Sequence, residues 1–193
     1  KRNYQLHPRS AHQGSYDFDQ LCEVCPELKP HVFTNEHGTQ TIKFDNQDAI
    51  RELNKALLKL HYQINNWTLP PGHLIPPIPG RADYIHYLQD LMGDKDHQVR
   101  GIDIGVGANC IYPLLGASIY NWDFVGVDIS QEALINGQKI LLSNMDMIDK
   151  IELRHQPHPK KFFQGVIRSG ERFDFVMCNP PFFESPEEAQ GAN

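Results

Sequence analysis

Apolar side chains recur every three or four positions along residues 47–62, and charged or amide side chains fill most of the positions between them. This spacing predicts an amphipathic α-helix with one face against a hydrophobic core. Asp45 or Asn46 is expected to cap it by accepting hydrogen bonds from the free amides of the first turn. The predicted apolar face consists of Ile50, Leu53, Leu57 and Leu60.

A proline-rich segment separates this helix from a second helical pattern at residues 81–92. Five prolines lie between Pro70 and Pro79, so we expect a stiff loop there without regular secondary structure. Up to residue 97 this pattern indicates a helical extension without chemistry of its own. The apolar face of the second helix is predicted to carry Tyr84, Ile85, Leu88 and Leu91.

The pattern changes near residue 99, where short apolar runs begin to alternate with glycine turns and amphipathic segments. This alternation predicts an α/β fold, with half of a doubly wound parallel sheet. Residues 131–144 are predicted to form a helix capped by Ser130. The four predicted strands begin at Val99, Phe124, Lys150 and Phe173.

Composition narrows the class of protein. The 193 residues are 40% hydrophobic and 22% charged, which is enough to bury a core. No apolar run is long enough for a membrane span, and none follows the basic start as in a signal peptide. With four cysteines and no export signal, we expect a cytoplasmic protein with free thiols. The net charge of −6 argues against general nucleic-acid binding but leaves room for a local basic patch.

The first sixteen residues contain Lys1, Arg2 and Arg9, and no acidic residue precedes Asp17. Two interpretations are balanced: a solvent-exposed terminus, or an arm that lies along a phosphate backbone.

Cys22 and Cys25 form a C-x-x-C pair, followed by His31 and His37. The spacing differs from that of common zinc sites, and the prolines after Cys25 indicate a turn without helix. We therefore expect two ordinary thiols and no metal.

A glycine-rich turn follows the first predicted strand and contains Asp103, Gly105 and Gly107. Glycine lets the backbone approach a ligand closely. The third glycine of a dinucleotide fingerprint is replaced by Cys110, and no P-loop motif is present. The turn therefore suits a ligand without a diphosphate.

Asp128 ends the second predicted strand. An acid at this place can accept hydrogen bonds from both hydroxyls of a ribose. The alternative is an acid that merely caps the next helix.

The stretch CNPPFF at residues 178–183 follows the fourth predicted strand, which we expect to be buried. Adjacent prolines cannot continue a central strand, so Asn179 is placed at the carboxyl edge, where ligands bind in open α/β sheets. The alternative is a proline-terminated turn with aromatic residues in the core.

These motifs resemble a known family. DIGVGANC, Asp128 and NPPF in this order resemble S-adenosylmethionine-dependent methyltransferases that act on exocyclic or amide nitrogen. Together with PGRADYIHYLQDL and GANCIYPLLG, they resemble the adenine-N6 methyltransferases of bacterial large-subunit (23S) ribosomal RNA. Eukaryotic relatives of that family modify a spliceosomal small nuclear RNA and messenger RNA. The resemblance runs from about Leu6 to the end of the sequence.

The resemblance implies a Rossmann-like class I methyltransferase sheet in residues 98–193 and an RNA-contacting extension in residues 1–97. It assigns S-adenosylmethionine as cofactor and ribosomal RNA as partner. The implied cofactor-binding residues are Arg81 at the methionine carboxylate, Asp103 at the turn or the ammonium group, Gly105 and Gly107 at the amino-acid moiety, and Asp128 at the ribose.

The resemblance also implies a mechanism. The side-chain carbonyl of Asn179 and the backbone carbonyl of Pro180 accept hydrogen bonds from the adenine amino group, and Phe182 stacks on the extruded base. No general base and no metal are required.

Four strands are predicted where a complete methyltransferase sheet has seven, so we expect the sheet to be truncated after the fourth strand. Three alternatives remain open from the sequence: a guanine-N2 RNA methyltransferase, a protein glutamine-N5 methyltransferase and a non-catalytic RNA-binding fragment.

Overall fold

The computed structural model describes residues 5–179. The strands are β1 (Phe33–Thr34), β2 (Gln40–Thr41), β3 (Arg100–Ile104), β4 (Asp123–Asp128), β5 (Ile151–His155) and β6 (Phe175–Cys178). The first two pair with each other in antiparallel fashion. The other four form one parallel sheet in the order β5-β4-β3-β6, which confirms the predicted parallel α/β arrangement.

The helices are α1 (Phe18–Val24), α2 (Gln47–Tyr62), α3 (Ile78–Met92), α4 (Ile111–Tyr120), α5 (Gln131–Leu142) and α6 (Met145–Ile148). Helix α2 has the predicted bounds, and the side chain of Asn46 caps it. The predicted turn without helix after Cys25 is wrong, because a 3-10 helix spans Pro26–His31. Within the described residues, no helix combines the length and apolar character needed to cross a membrane.

The strand order creates a reversal point beside β3. The chain runs from β3 through β4 to β5 on one side and then places β6 on the other side of β3. The carboxyl ends of strands flanking such a reversal form a crevice, which is the usual ligand site of open α/β sheets.

The extension and the sheet share one hydrophobic core. Leu57 of α2 and Ile85 of α3 belong to the same buried cluster as Leu114 of α4 and Phe124 of β4. The opposite face of the sheet buries a smaller cluster that includes Ile102. The division of the chain at residue 97 stays a prediction, but the packing joins the two parts into one core.

The predicted apolar face of α3 is partly wrong. Tyr84 is 46% exposed and Leu91 is 84% exposed. The buried face instead includes the polar residues Asp83 and His86. Both contact His7, whose backbone amide donates to Asp83 at 3.1 Å and whose ring stacks on His86 at 5.0 Å. Partners distant in sequence therefore satisfy polar groups that hydrophobic spacing alone places outside.

From residue 5 to residue 16 the N-terminal segment is anchored to the protein, although many of its side chains are exposed. His7 is buried, and the guanidinium of Arg9 donates to the Tyr120 hydroxyl at 2.9 Å and to the Asp90 carboxylate at 2.5 Å. The basic residues at positions 1 and 2 lie outside the described residues, and an arm along a phosphate backbone stays a prediction.

The fourth predicted strand is shorter and less buried than expected. Strand β6 begins at Phe175, and only Met177 in it is buried, whereas Val176 is 55% exposed. The reason is its position, because β6 lies at one edge of the four-stranded sheet.

Candidate active site

A cavity of about 630 Å³ lies at the carboxyl ends of β3, β4 and β6. The residues predicted to form the site that line it are Arg81, Gly105, Gly107, Asp128 and Asn179. Asp103 lies behind this wall in β3, and Pro180 and Phe182 lie outside the described residues. The fold thus brings four separate chain segments together at the reversal point of the sheet.

The glycine turn that follows β3 requires glycine for its backbone conformation. Gly105 has φ +76° and Gly107 has φ +70°, in the left-handed region that side chains disfavour. A Cβ built on Gly105 would have no neighbouring atom within 4 Å. Open space therefore lies beside the turn, and a ligand can approach its backbone.

Asp128 accepts hydrogen bonds from the backbone of the turn after β3 and of the turn after β4. Its Oδ2 accepts from the Gly107 amide at 2.8 Å, and its Oδ1 accepts from the Ser130 amide at 2.9 Å. The cap of α5 is Ser130, as predicted, so helix capping does not explain Asp128. Each oxygen of an ionised carboxylate has a second acceptor position, so Asp128 can still accept two hydroxyl protons.

Asp103 is a buried carboxyl group behind the glycine turn. It is 1% exposed, and its Oδ1 has no hydrogen-bond partner among the described residues. Burial and then the charge of Asp128 raise the pKa of Asp103 to about 7. A cation placed near this carboxyl would favour its charged form.

Arg81 is held in place by an aromatic residue. Its Nη1 donates to the Tyr112 hydroxyl at 2.7 Å, and the guanidinium lies 5.4 Å from the centre of the Tyr112 ring. Both residues line the cavity. The sequence interpretation missed Tyr112, although its place in the first turn of α4, directly after the glycine turn, is a usable signal.

The extension contributes to the site beyond the predicted Arg81, although its helical pattern by itself indicated no chemistry. His73, Leu74 and Pro76 of the proline-rich loop line the cavity. Gln156 and Phe162, beyond the end of β5, line it as well. The rule that placed Asn179, a polar residue just past the end of a parallel strand, could have found Gln156.

In a dinucleotide-binding fingerprint, the third glycine lets the following helix pack closely. Cys110 stands at that position here, and the close packing is achieved in another way. Cys110 adopts φ +49° at the start of α4, and Gly137 of α5 packs against it. A Cβ on Gly137 would lie 2.5 Å from the Cys110 Sγ, so the small residue comes from the opposite helix.

Asn179 directly follows β6 and shares the cavity with Asp128. The predicted placement of the amide at the carboxyl edge of the sheet is therefore found in the structure. Its role toward a target base stays a prediction.

Cys22 and Cys25 are buried free thiols. Burial and the nearby Glu52 raise the pKa of Cys25 to about 11, which disfavours the thiolate that binds metals. Across residues 5–179, no three His, Cys, Asp or Glu side chains are grouped so that they could hold a metal ion. The absence of a metal requirement stays a prediction.

Comparison with known proteins identifies the family. A family model described as RNA methyltransferase matches residues 1–193. The chain belongs to this RNA methyltransferase family. Among curated relatives, ribosomal RNA large subunit methyltransferase F of Christiangramia forsetii is 50% identical over 189 residues, which cover 97% of this chain and 66% of that protein. Its namesake in Aeromonas salmonicida is 51% identical over 194 residues, with 97% and 61% coverage.

Solved structures agree with this assignment. The N-terminal domain of human METTL16 in complex with SAH superposes with a TM-score of 0.82 at 34% identity, covering 92% of this chain and 70% of that one. The human METTL16 catalytic domain in complex with MAT2A 3′UTR hairpin 1 gives 0.85 at 35% identity, with 98% and 64% coverage. The Rossmann-like methyltransferase fold and the resemblance to large-subunit ribosomal RNA methyltransferases are confirmed. The chain spans about two thirds or less of the length of these curated relatives.

Proposed function

We propose that this RNA methyltransferase transfers a methyl group from S-adenosylmethionine to the exocyclic N6 of an adenine in large-subunit (23S) ribosomal RNA. The observation that carries the proposal is the cavity in which Arg81, the glycine turn, Asp128 and Asn179 meet. The names of the bacterial relatives and the RNA-bound human structure support an RNA substrate of this kind.

The residues of the cavity fit S-adenosylmethionine. Arg81 supplies a fixed cation for the carboxylate of the methionine part, and Asp128 supplies two acceptors for the ribose hydroxyls. Val106 and Ile129 add apolar surface for an adenine ring. The SAH found in the human METTL16 domain supports this choice.

Asp103 complements this set from behind the turn. A buried carboxyl whose pKa is about 7 ionises readily when a cation comes near. The ammonium group of the methionine part is such a cation, and its binding would hold Asp103 in the charged form.

The substrate side of the site depends on Asn179. S-adenosylmethionine supplies an electrophilic sulfonium methyl group, so the protein has only to prepare the nucleophile. The Asn179 side-chain carbonyl and the Pro180 backbone carbonyl accept hydrogen bonds from the two amino protons of the adenine. These acceptors favour a pyramidal nitrogen and stabilise the positive charge that develops on it. The nitrogen becomes acidic once it is methylated and releases one proton to solvent, and S-adenosylhomocysteine is the other product. Phe182 stacks on the base and holds it in the cavity.

The alternatives differ in their support. The RNA methyltransferase family disfavours a glutamine-N5 protein methyltransferase. Methylation of guanine N2 remains the competing outcome, because an asparagine carbonyl can also accept from that amino group. A non-catalytic RNA-binding fragment would not need a cavity in which Arg81, the glycine turn and Asp128 meet. A ribosomal RNA substrate implies that the enzyme acts in the cytoplasm. The proposed chemistry needs no metal, so activity should survive dialysis against a strong chelator.

Asp128→Ala tests the cofactor assignment. Loss of both carboxylate oxygens should weaken binding of S-adenosylhomocysteine at least about tenfold, since hydrogen bonds to a charged group contribute about 1.5–3 kcal/mol each. Isothermal titration calorimetry measures the affinity, and far-UV circular dichroism checks the fold. Asp149→Ala, which removes an exposed acid outside the cavity, is the matched control. Equal affinity for Asp128→Ala and wild type would show that the ribose assignment is wrong.

A further inference from the structure

The loop that joins α2 to α3 is tied to the glycine turn by side-chain hydrogen bonds. The indole Nε1 of Trp67 donates to the Asn109 carbonyl at 2.9 Å. The Asn136 amide of α5 donates to the Ala108 carbonyl at 2.7 Å and to the Thr68 carbonyl at 2.9 Å. Two consecutive carbonyls of the turn therefore accept hydrogen bonds from side chains outside it.

The turn needs support of this kind because its own backbone is strained. Cys110, which follows the two bonded carbonyls, adopts φ +49°, a left-handed conformation that costs roughly 1–2 kcal/mol for a residue with a side chain. Its amide reaches the Gly107 carbonyl only at 3.4 Å. Contacts from the surrounding structure must therefore hold the turn in place.

The same loop forms part of the cavity wall. Trp67 is 1% exposed and anchors the loop in the core, and His73, Leu74 and Pro76 follow a few residues later in the wall. One short segment of the extension thus has two roles in the cavity. It contributes residues to the wall, and it holds the glycine turn in place.

We propose that Trp67 is a positioning residue of the cofactor site: through the Asn109 carbonyl, the extension holds the glycine turn in the conformation that binds the S-adenosyl ligand. The choice of ligand rests on the proposed function, but the control of the turn does not. Without the indole donor, the Asn109 carbonyl needs another partner and the turn leaves the binding conformation for part of the time. The apparent affinity is then reduced in proportion to the fraction of molecules that keep the binding conformation of the turn.

Trp67→Phe and Trp122→Phe form a matched pair, because the sequence contains two tryptophans and both are almost fully buried. Trp122 packs against the rings of Tyr120 and Phe175 at 5.2 Å and does not line the cavity. Calorimetry with S-adenosylhomocysteine should show an affinity about tenfold weaker for Trp67→Phe, the loss expected when one buried acceptor is left unpaired. Trp122→Phe should stay within about twofold of wild type, since it loses core packing alone.

Amide hydrogen exchange of the ligand-free proteins separates this inference from the choice of ligand. Exchange in residues 105–112 should be faster in Trp67→Phe than in wild type and unchanged in Trp122→Phe. If wild type does not bind S-adenosylhomocysteine, the proposed function fails, and the exchange rates alone decide the role of Trp67. Unchanged exchange and affinity in Trp67→Phe, or equal losses in both variants, would overturn the inference.

If Trp67→Phe does not fold, Asn136→Ala, which removes the neighbouring donor to Ala108, is measured in the same way and should show the same loss.

Discussion

Asn179 and Asp128 line one cavity but are expected to contact different molecules, which makes their effects separable. Asn179→Ala should lower turnover by about 10²-fold or more, the usual loss when one polar group that acts in the transition state is removed. The affinity for S-adenosylhomocysteine should be nearly unchanged, because the Asn179 amide is assigned to the target base. Methyl transfer to an adenine-containing fragment of 23S ribosomal RNA, with the full-length gene product, gives the turnover, and calorimetry gives the affinity. Near-normal turnover would leave the NPPF motif as a structural turn.

Phe182→Ala provides a contrast at the same site. Stacking on a base contributes about 1–3 kcal/mol and acts before the reaction as well as during it. The Michaelis constant for RNA should therefore rise together with the loss of turnover, whereas Asn179→Ala changes mainly turnover. The same kinetic assay, run over a range of RNA concentrations, distinguishes the two patterns. An unchanged Michaelis constant would exclude the stacking role.

The contact between α5 and the start of α4 leads to a stability prediction at the level of elements. A Cβ on Gly137 would lie 2.5 Å from the Cys110 Sγ and 2.8 Å from the Leu153 Cδ1. Gly137→Ala should therefore lower the free energy of unfolding by about 1–3 kcal/mol, the usual cost of overpacking, despite the better helix propensity of alanine. Urea unfolding followed by circular dichroism measures this change.

Gly80→Ala is the matched control, since it is the same substitution in a helix. A Cβ at Gly80 would have no neighbouring atom within 4 Å, so this variant should be as stable as wild type or more stable by up to about 1 kcal/mol. If both variants change stability in the same direction, the close approach of α5 and Cys110 is not limiting.

The elements predicted from sequence are those whose signal is local. The bounds of α2 and the parallel arrangement of the four strands follow from hydrophobic spacing and turn residues. Helix α1 was missed because it is only seven residues long, and its buried Leu21 packs in a core that other elements complete. The buried face of α3 was misassigned because Asp83 and His86 find their partners in the N-terminal segment.

The same distinction holds for the candidate site. Gly105, Gly107, Asp128 and Asn179 could be placed because each ends a strand or lies in the turn after one, and the strand ends of a parallel sheet meet at one edge. The support for them could not be predicted in this way. The Trp67 indole, for example, reaches the turn across 42 residues of sequence, and no local pattern indicates that contact.

At the scale of the whole molecule, a group of buried and half-buried imidazoles joins the N-terminal segment to helices α2 and α3 and makes stability depend on pH. The His12 Nε2 bonds the Tyr62 hydroxyl at 2.8 Å, and burial together with the nearby His61 lowers the pKa of His12 to about 4. Asp83 opposes this shift, and His86 adds to it.

The unfolded chain protonates His12 near its ordinary value of 6.5, whereas the folded chain does so only near 4. The unfolded state therefore binds more protons between these values, and stability falls as the pH drops through this window, by about 2 kcal/mol from His12 between pH 7.5 and pH 5. Chemical unfolding at pH 7.5 and pH 5 measures the difference. His12→Asn should reduce the pH dependence, while His37→Asn, at an exposed position, should retain it. Equal pH dependence in wild type and His12→Asn would contradict this account.

The proposed function requires methyl transfer to the N6 of an adenine in ribosomal RNA. Mass spectrometry of the nucleosides of large-subunit ribosomal RNA, from cells with the intact gene, without it and with an Asn179→Ala allele, tests this claim most directly. N6-methyladenosine at one adenine should be present with the intact gene and lost in the other two strains, while the Asn179→Ala protein is still produced. Unchanged N6-methyladenosine in all three strains, or loss of N2-methylguanosine instead, would contradict it.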